Sequence, residues 1–234
     1  FFHWELEFPE VFFDRNGQPL GSRGGFAAVI GNPPYVRQEE LGPVKPYLAD
    51  AFRETYSGVA DIYVYFYQRG LELLRGGGRM SFIVTNKWLR AGYGQPLRAW
   101  LAGQNAVSEL IDFGHAPIFQ DADVFPCILQ LERQDPDAAD VDATVLITEF
   151  PREQLRKVDI GSYVDRHGHR VARRRFSGDP WSLEPQPVVD LMDKIRRAGV
   201  PLAEFAGVKP YYGIKTGFNE AFLIDTATKE RLVR

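Results

Sequence analysis

Cysteine is almost absent: Cys127 is the only one in 234 residues. That excludes a disulfide framework. The four histidines, His3, His115, His167 and His169, stand at no zinc-ligand spacing, so no metal site is expected. A reducing, cytoplasmic setting fits this cysteine usage best. No apolar run approaches the roughly 18 residues that span a bilayer, and no charged lead precedes an apolar stretch, so a soluble chain with no membrane partner is expected. A strong excess of one charge is also missing. The net charge is -3, which taken as a whole argues against nucleic acid, but a whole-chain sum hides patches.

What is present is ordinary globular composition, 44% hydrophobic and 25% charged, with a surplus of flat side chains (17 Phe, 10 Tyr, 4 Trp) suited to cores or to stacking. The charge is unevenly spread. Pro151 to Gly178 holds eight Lys/Arg against three acids, a local +5, which leaves -8 for the remainder. The first residue is a Phe inside an aromatic stretch, which reads as a piece of a longer chain.

Residues 1 to about 133 mix short apolar runs with amphipathic stretches, the pattern of strands alternating with helices in an α/β domain. Gly25 to Ile30 is a continuous apolar run, expected as a strand buried on both faces and stopped by Gly31-Asn32-Pro33-Pro34. A helix is expected after Asp61 as N-cap, with Ile62, Phe66, Gly70 and Leu73 at helical spacing and Gly76-Gly77-Gly78 ending it. Strands follow at 80–85, 107–113 and 124–131, with a helix near 95–102 between the first two. Residues 132–142, with five acids, read as a solvated loop, and 143–150 as a further strand. A last helix is expected over 187–198. Cys127, inside an apolar strand, reads as a small core side chain.

Asn32-Pro33-Pro34-Tyr35 follows a strand at its carboxyl end, where open α/β sheets build ligand crevices. Two prolines fix φ twice and push the preceding residues into extended geometry, which holds the Asn side chain and nearby carbonyls in a rigid acceptor array. The Asn oxygen and the Pro33 carbonyl are able to accept both hydrogens of an exocyclic or amide NH2 group and direct its lone pair at an electrophile. Tyr35 offers a stacking face, worth roughly 1 to 3 kcal/mol for a base. The plainer alternative is an Asn-Pro turn after a strand.

Gly31-Asn32-Pro33-Pro34-Tyr35 resembles the catalytic motif of S-adenosylmethionine-dependent methyltransferases acting on N6 of adenine in DNA. The stretches 3–12, 61–66 and 77–94 are similar to type IIG restriction-modification enzymes and to BREX-like phage-defence methyltransferases. Gly213 to Phe222 resembles the entry to that family's target-recognition domain. The resemblance implies an α/β fold, the carboxyl-terminal half of a Rossmann-like methyltransferase sheet, plus the start of a recognition domain. It implies that Asn32, Pro33, Pro34 and Tyr35 form the catalytic loop, with Asn32 and Pro33 on the adenine amine. Tyr35 and Phe119 clamp the flipped base, and Phe66 faces the adenine ring of S-adenosylmethionine. For Phe119 the alternative is a core or loop residue at the start of a β-hairpin. The family's glycine-rich cofactor loop has no counterpart before Asn32, so most of the cofactor site is expected upstream of residue 1, in a missing amino-terminal part of the parent chain, and this piece alone is expected to be inactive.

The expected domains are a partial methyltransferase domain over 1–150, a basic linker over 151–185 and the start of a recognition domain over 186–234. Arg166, Arg170, Arg173, Arg174, Arg175 and Lys215 are candidate contacts to double-stranded DNA, acting on phosphates without reading sequence; a solvated loop is the alternative. The activity implied is that of a site-specific adenine DNA-methyltransferase, EC 2.1.1.72, in restriction-modification or phage defence. A glutamine-amide methyltransferase of the release-factor type and a non-catalytic DNA-binding module are the other readings.

Overall fold

The chain enters its sheet through Gly25, whose φ of 124° only glycine adopts freely; a Cβ there would lie 2.5 Å from the Arg75 amide nitrogen. The Phe26 amide then donates to the Leu73 carbonyl at 2.8 Å, which starts the first strand. The structure, a computed structural model, describes residues 2–114, 118, 125–134, 143–154, 157–207, 226 and 231.

Two short turns of helix, α1 (Trp4–Glu7) and α2 (Pro9–Phe12), gather Trp4, Phe8 and Phe12 around the Phe26 ring at the start of β1 (Phe26–Gly31). There follow α3 (Lys45–Ala51), α4 (Tyr63–Glu72), β2 (Leu74–Thr85), α5 (Gln95–Gly103), β3 (Val107–Asp112), β4 (Pro126–Glu132), β5 (Thr144–Glu149), α6 (Ile160–His167) and β6 (His169–Ala172). The six strands form one mixed sheet in the order β1-β2-β4-β3-β5-β6. β1 runs parallel to β2 and β3 to β5, while β4 lies antiparallel between β2 and β3. This is α/β architecture, a mixed sheet with helices packed on both faces.

Period-2 alternation divides the core between the two faces. Leu110, Leu129, Leu131, Val145 and Ile147 point to the main core with α4 and α5, whereas Ile111, Ile128 and Leu146 join Phe113, Phe150 and Val164 in a smaller cluster with α6. α4 comes close to the sheet because Gly70 has no side chain; a Cβ there would meet Met80 Sδ at 2.4 Å.

Several expectations are corrected. β1 is not buried on both faces: Ile30 is 86% exposed, because among the described residues β1 is bonded to β2 alone and α6 packs over β3, β4 and β5. Asp61 does not cap α4. Its carboxylate accepts from the Gln38 amide at 3.2 Å, and the cap position is Ile62. Gly76 to Gly78 lie within β2 rather than ending the helix. The stretch expected as a basic linker is folded into the sheet. β6 pairs with β5, and Val171, Phe176, Trp181 and Leu183 enter the main core.

The chain divides into two compact units, 1–186 and 187–234. The second contains nearly all of α7 (Gln186–Ala198), with the expected stripe of Val188, Leu191, Met192 and Ile195, and α8 (Leu202–Ala206). Among the described residues no helix is long and apolar enough to cross a membrane, and no cluster of three or more His, Cys, Asp or Glu gathers as a metal would require.

Within the first unit a buried arginine ties distant segments together. Arg98 of α5 is 1% exposed, and its guanidinium donates to the carbonyls of Trp88, Ala91, Gly178 and Asp179. Leucine there would leave these carbonyls without their donors, so Arg98→Leu is expected to lower stability by about 3 kcal/mol or more. Urea unfolding followed by tryptophan fluorescence checks this; an unchanged midpoint would remove the role.

Candidate active site

Gly31 closes β1 opposite Phe82 of β2, and a Cβ on it would lie 3.1 Å from the Phe82 ring. The chain therefore leaves the sheet beside an aromatic side chain. Pro33 is buried and anchors the exit, while Asn32 and Pro34 are exposed. Among the described residues Asn32 makes no side-chain hydrogen bond, so its amide oxygen is available to a ligand. Past Tyr35 the loop is pinned to the start of α4: the Ile62 amide donates to the Val36 carbonyl, and Asp61 accepts from Gln38. Lys45 Nζ adds bonds to Gln38 Oε1 and the Gly58 carbonyl.

The rigid exit loop and α4 frame a cavity of about 660 Å³ lined by Gly31, Asn32, Pro33, Pro34, Phe66 and Phe82 among others. Phe66 is 39% exposed on α4 one turn before Gly70, so the close helix-to-sheet approach brings its ring to the same cavity as the Asn32 loop. These residues suit a flat, mostly apolar group. Among the described residues the one charged side chain lining the cavity is Arg69, and none is a carboxylate for sugar hydroxyls. The cavity thus fits the adenine end of a nucleoside cofactor; the partners for its polar end are not among its lining.

Tyr35 is 39% exposed, with its ring 6.1 Å from that of Tyr63 and tilted by 57°. Tyr63 is fully buried and shares a 2.8 Å hydrogen bond between hydroxyls with Tyr93. Burial pushes the Tyr35 phenol up to about 12; Cys127 adds to the shift and a hydrogen bond with the Thr85 backbone opposes it. Burial likewise holds the Tyr63 and Tyr67 phenols well above the ordinary range. Cys127 is fully buried in β4, and burial raises its thiol far from the reactive range, as befits a core side chain.

A second cleft opens nearby. It has about 290 Å³ and is lined by Asn86, Lys87, Leu89, Arg90, Asp112, Gly114 and Phe125, at the carboxyl ends of β2 and β3. Sequence reasoning assigned none of these residues a role. The signal available was positional: Asn86 and Lys87 directly follow a strand, as Asn32 does.

A model of the Eco57I restriction-modification methylase family matches residues 1–119. The chain belongs to that family. It is 32% identical over 209 residues to the type II methyltransferase M.PaeR7I of Pseudomonas aeruginosa, covering 86% of this chain and 36% of the relative. To the type II methyltransferase M.XhoI of Xanthomonas vasicola it is 30% identical over 213 residues, covering 87% and 38%. The chain thus spans little more than a third of the length of these relatives. A solved type I restriction-modification methyltransferase subunit from Streptococcus thermophilus overlaps 64% of this chain and 34% of its own, with 15% identity and a TM-score of 0.49.

In this Eco57I-family chain the expected site residues divide clearly. Asn32, Pro33, Pro34 and Phe66 share one cavity, and Tyr35 adjoins them on the loop. Phe119 and Lys215 lie outside the described residues. The arginine run is partly engaged within the protein. Arg175 donates to the carbonyls of Ser182 and Glu184, Arg166 to the Ser162 carbonyl and Arg170 to the Thr144 hydroxyl, and among the described residues Arg173 Nε is buried without a hydrogen-bond partner. Arg166, Arg170 and Arg174 remain exposed.

The Tyr35 phenol carries a pH signature. Its folded pKa lies above the unfolded value, so its contribution to stability is complete below about pH 10 and is lost as pH rises towards 12. Unfolding midpoints measured between pH 9 and 12 should therefore fall more steeply for the unaltered chain than for Tyr35→Phe. Parallel curves would contradict the assigned environment.

Proposed function

We propose that the protein transfers a methyl group from S-adenosylmethionine to the N6 amine of adenine in double-stranded DNA, within a restriction-modification or phage-defence system. The observation that carries this reading is the shared cavity of Asn32, Pro33, Pro34 and Phe66 at the carboxyl end of β1, in a chain of the Eco57I methylase family.

Adenine inside a duplex presents its amine to its pairing partner, so the base must leave the stack to react. Once extruded, its amine donates one N–H to the Asn32 side-chain oxygen and the other to the Pro33 carbonyl. These bonds hold the nitrogen lone pair away from the acceptors and towards the cavity that Phe66 borders. Stacking on Tyr35 fixes the plane of the ring. The cofactor supplies a methyl carbon activated by its positively charged sulfur. The protein's contribution is orientation and exclusion of water, which the two prolines support by removing slack from the loop. Tyr35 stays neutral throughout the physiological range, as an ordinary phenol does, and burial shifts it further from ionisation. It therefore brings no negative charge beside the amine.

The test uses the protein as encoded by its gene, with tritiated methyl donor and duplex DNA. The unaltered protein is expected to label DNA. Asn32→Ala is expected to reduce the label about 100-fold or more, because it removes one of the two acceptors that orient the amine. Near-normal labelling by Asn32→Ala would overturn the assignment, and label on protein instead of DNA would favour a side-chain amide as the substrate.

A further inference from the structure

We propose that the Lys87–Arg90 cleft is a phosphate-binding site that holds the DNA backbone next to the extruded nucleotide. The proposal rests on the reading that the protein acts on DNA, and it adds a contact outside the basic run at 166–175.

The turn that carries these two cations is built to be stiff. Residues Lys87–Leu89 form one turn of 3₁₀ helix directly after β2, with Trp88 and Leu89 buried in the main core at 0% and 2% exposure. In 3₁₀ geometry residues three apart eclipse, so Lys87 and Arg90 come to the same side, and both line the one cleft. Every carbonyl from Asn86 to Leu89 is bonded. Asn86 accepts from the Leu89 amide, Lys87 from Arg90 and Ala91, Trp88 from the Arg98 guanidinium, and Leu89 from Trp181. The two charged ends thus extend from a backbone with little freedom to lose on binding.

The cations are also available. Both side chains are exposed, and among the described residues neither makes an ion pair; Lys87 lies 5.8 Å from the Phe125 ring centre. Three carboxylates face this region. Asp112 lines the cleft, but one of its oxygens already accepts from Asn86 Nδ2 at 2.8 Å and from the Gly114 amide at 3.0 Å. Glu149 lies in the field of Arg90, and Asp61, held by the Gln38 amide, lies in that of Lys87. β1 and β2 are parallel neighbours with Gly31 opposite Phe82, so the Asn32 loop and the turn that follows Thr85 leave the sheet at the same end. The cleft therefore opens at the end of the sheet that carries the Asn32–Tyr35 loop, where the backbone of a nucleotide stacked on Tyr35 would run.

The experiment measures duplex DNA affinity over a range of salt for the protein as encoded by its gene, for Lys87→Gln/Arg90→Gln, and for Arg175→Gln as a comparison. Each lost phosphate contact lowers the slope of log affinity against log salt by about 0.9, so the double variant is expected to lose about 2 in slope and roughly ten-fold or more in affinity near physiological salt. Cofactor binding and thermal unfolding should be unchanged, which separates a lost contact from a damaged fold. Arg175→Gln, whose guanidinium is engaged with backbone carbonyls, should leave the slope unaltered. DNA binding with an unchanged slope in the double variant overturns this site and leaves the proposed function standing. Failure of the unaltered protein to bind DNA overturns both.

Discussion

The parallel pairing of β1 with β2, Ala28 opposite Arg79 through Gly31 opposite Phe82, fixes where the chain leaves the sheet, and the site depends on that exit. A strand delivers its last residue to within a fraction of an ångström only if its neighbour holds it, and here one neighbour does so. Pro33 and Pro34 then remove the freedom a loop would otherwise have, so positional accuracy passes from the sheet to Asn32. α4 meets this exit from one side because Gly70 lets it settle against Met80, and Phe66 follows as a consequence of helical spacing. The Asn32–Tyr35 loop and the cavity wall on α4 come from two segments separate in sequence, and the β1–β2 register is what they share.

Local signals were legible in the sequence where the cause is local. The apolar run at 25–30, the spacing of Ile62, Phe66, Gly70 and Leu73, and the Pro-Pro pair all mark structure through their own backbone or periodicity, and the corresponding elements are present. Long-range effects were not legible. Asp61 has the chemistry of a helix cap, yet its carboxylate takes the Gln38 amide, a partner 23 residues away. The apolar character of Ile30 suggests burial, but burial is set by what lies over the strand, and β1 is an edge among the described residues. The segment 151–185 reads as a solvated linker because arginine dominates its composition. In the fold Val171 and Trp181 reach the core while Arg170 points outward, an alternation that four residues of strand are too short to announce. Reading 151–185 as a linker also missed α6, whose start Asp159 caps by accepting from the Ser162 amide.

The same distinction governs the charges. A cluster of arginines is conspicuous in sequence, but a guanidinium is also an effective donor to backbone carbonyls, and Arg98 and Arg175 are used in that way. Lys87 and Arg90 are inconspicuous in a chain with 28 basic residues. Their claim on an anionic ligand comes from a rigid turn, an open cleft and a place at the same sheet end as the Asn32 loop, none of which composition reveals.

The central claim is that Asn32 and Pro33 orient an exocyclic amine of adenine and no other group. Nucleoside mass spectrometry of DNA from cells producing the protein as encoded by its gene, compared with cells producing Asn32→Ala, tests it most directly. The account predicts N6-methyladenine in the first sample and its loss in the second. Methylation on cytosine, or equal N6-methyladenine in both samples, would contradict it.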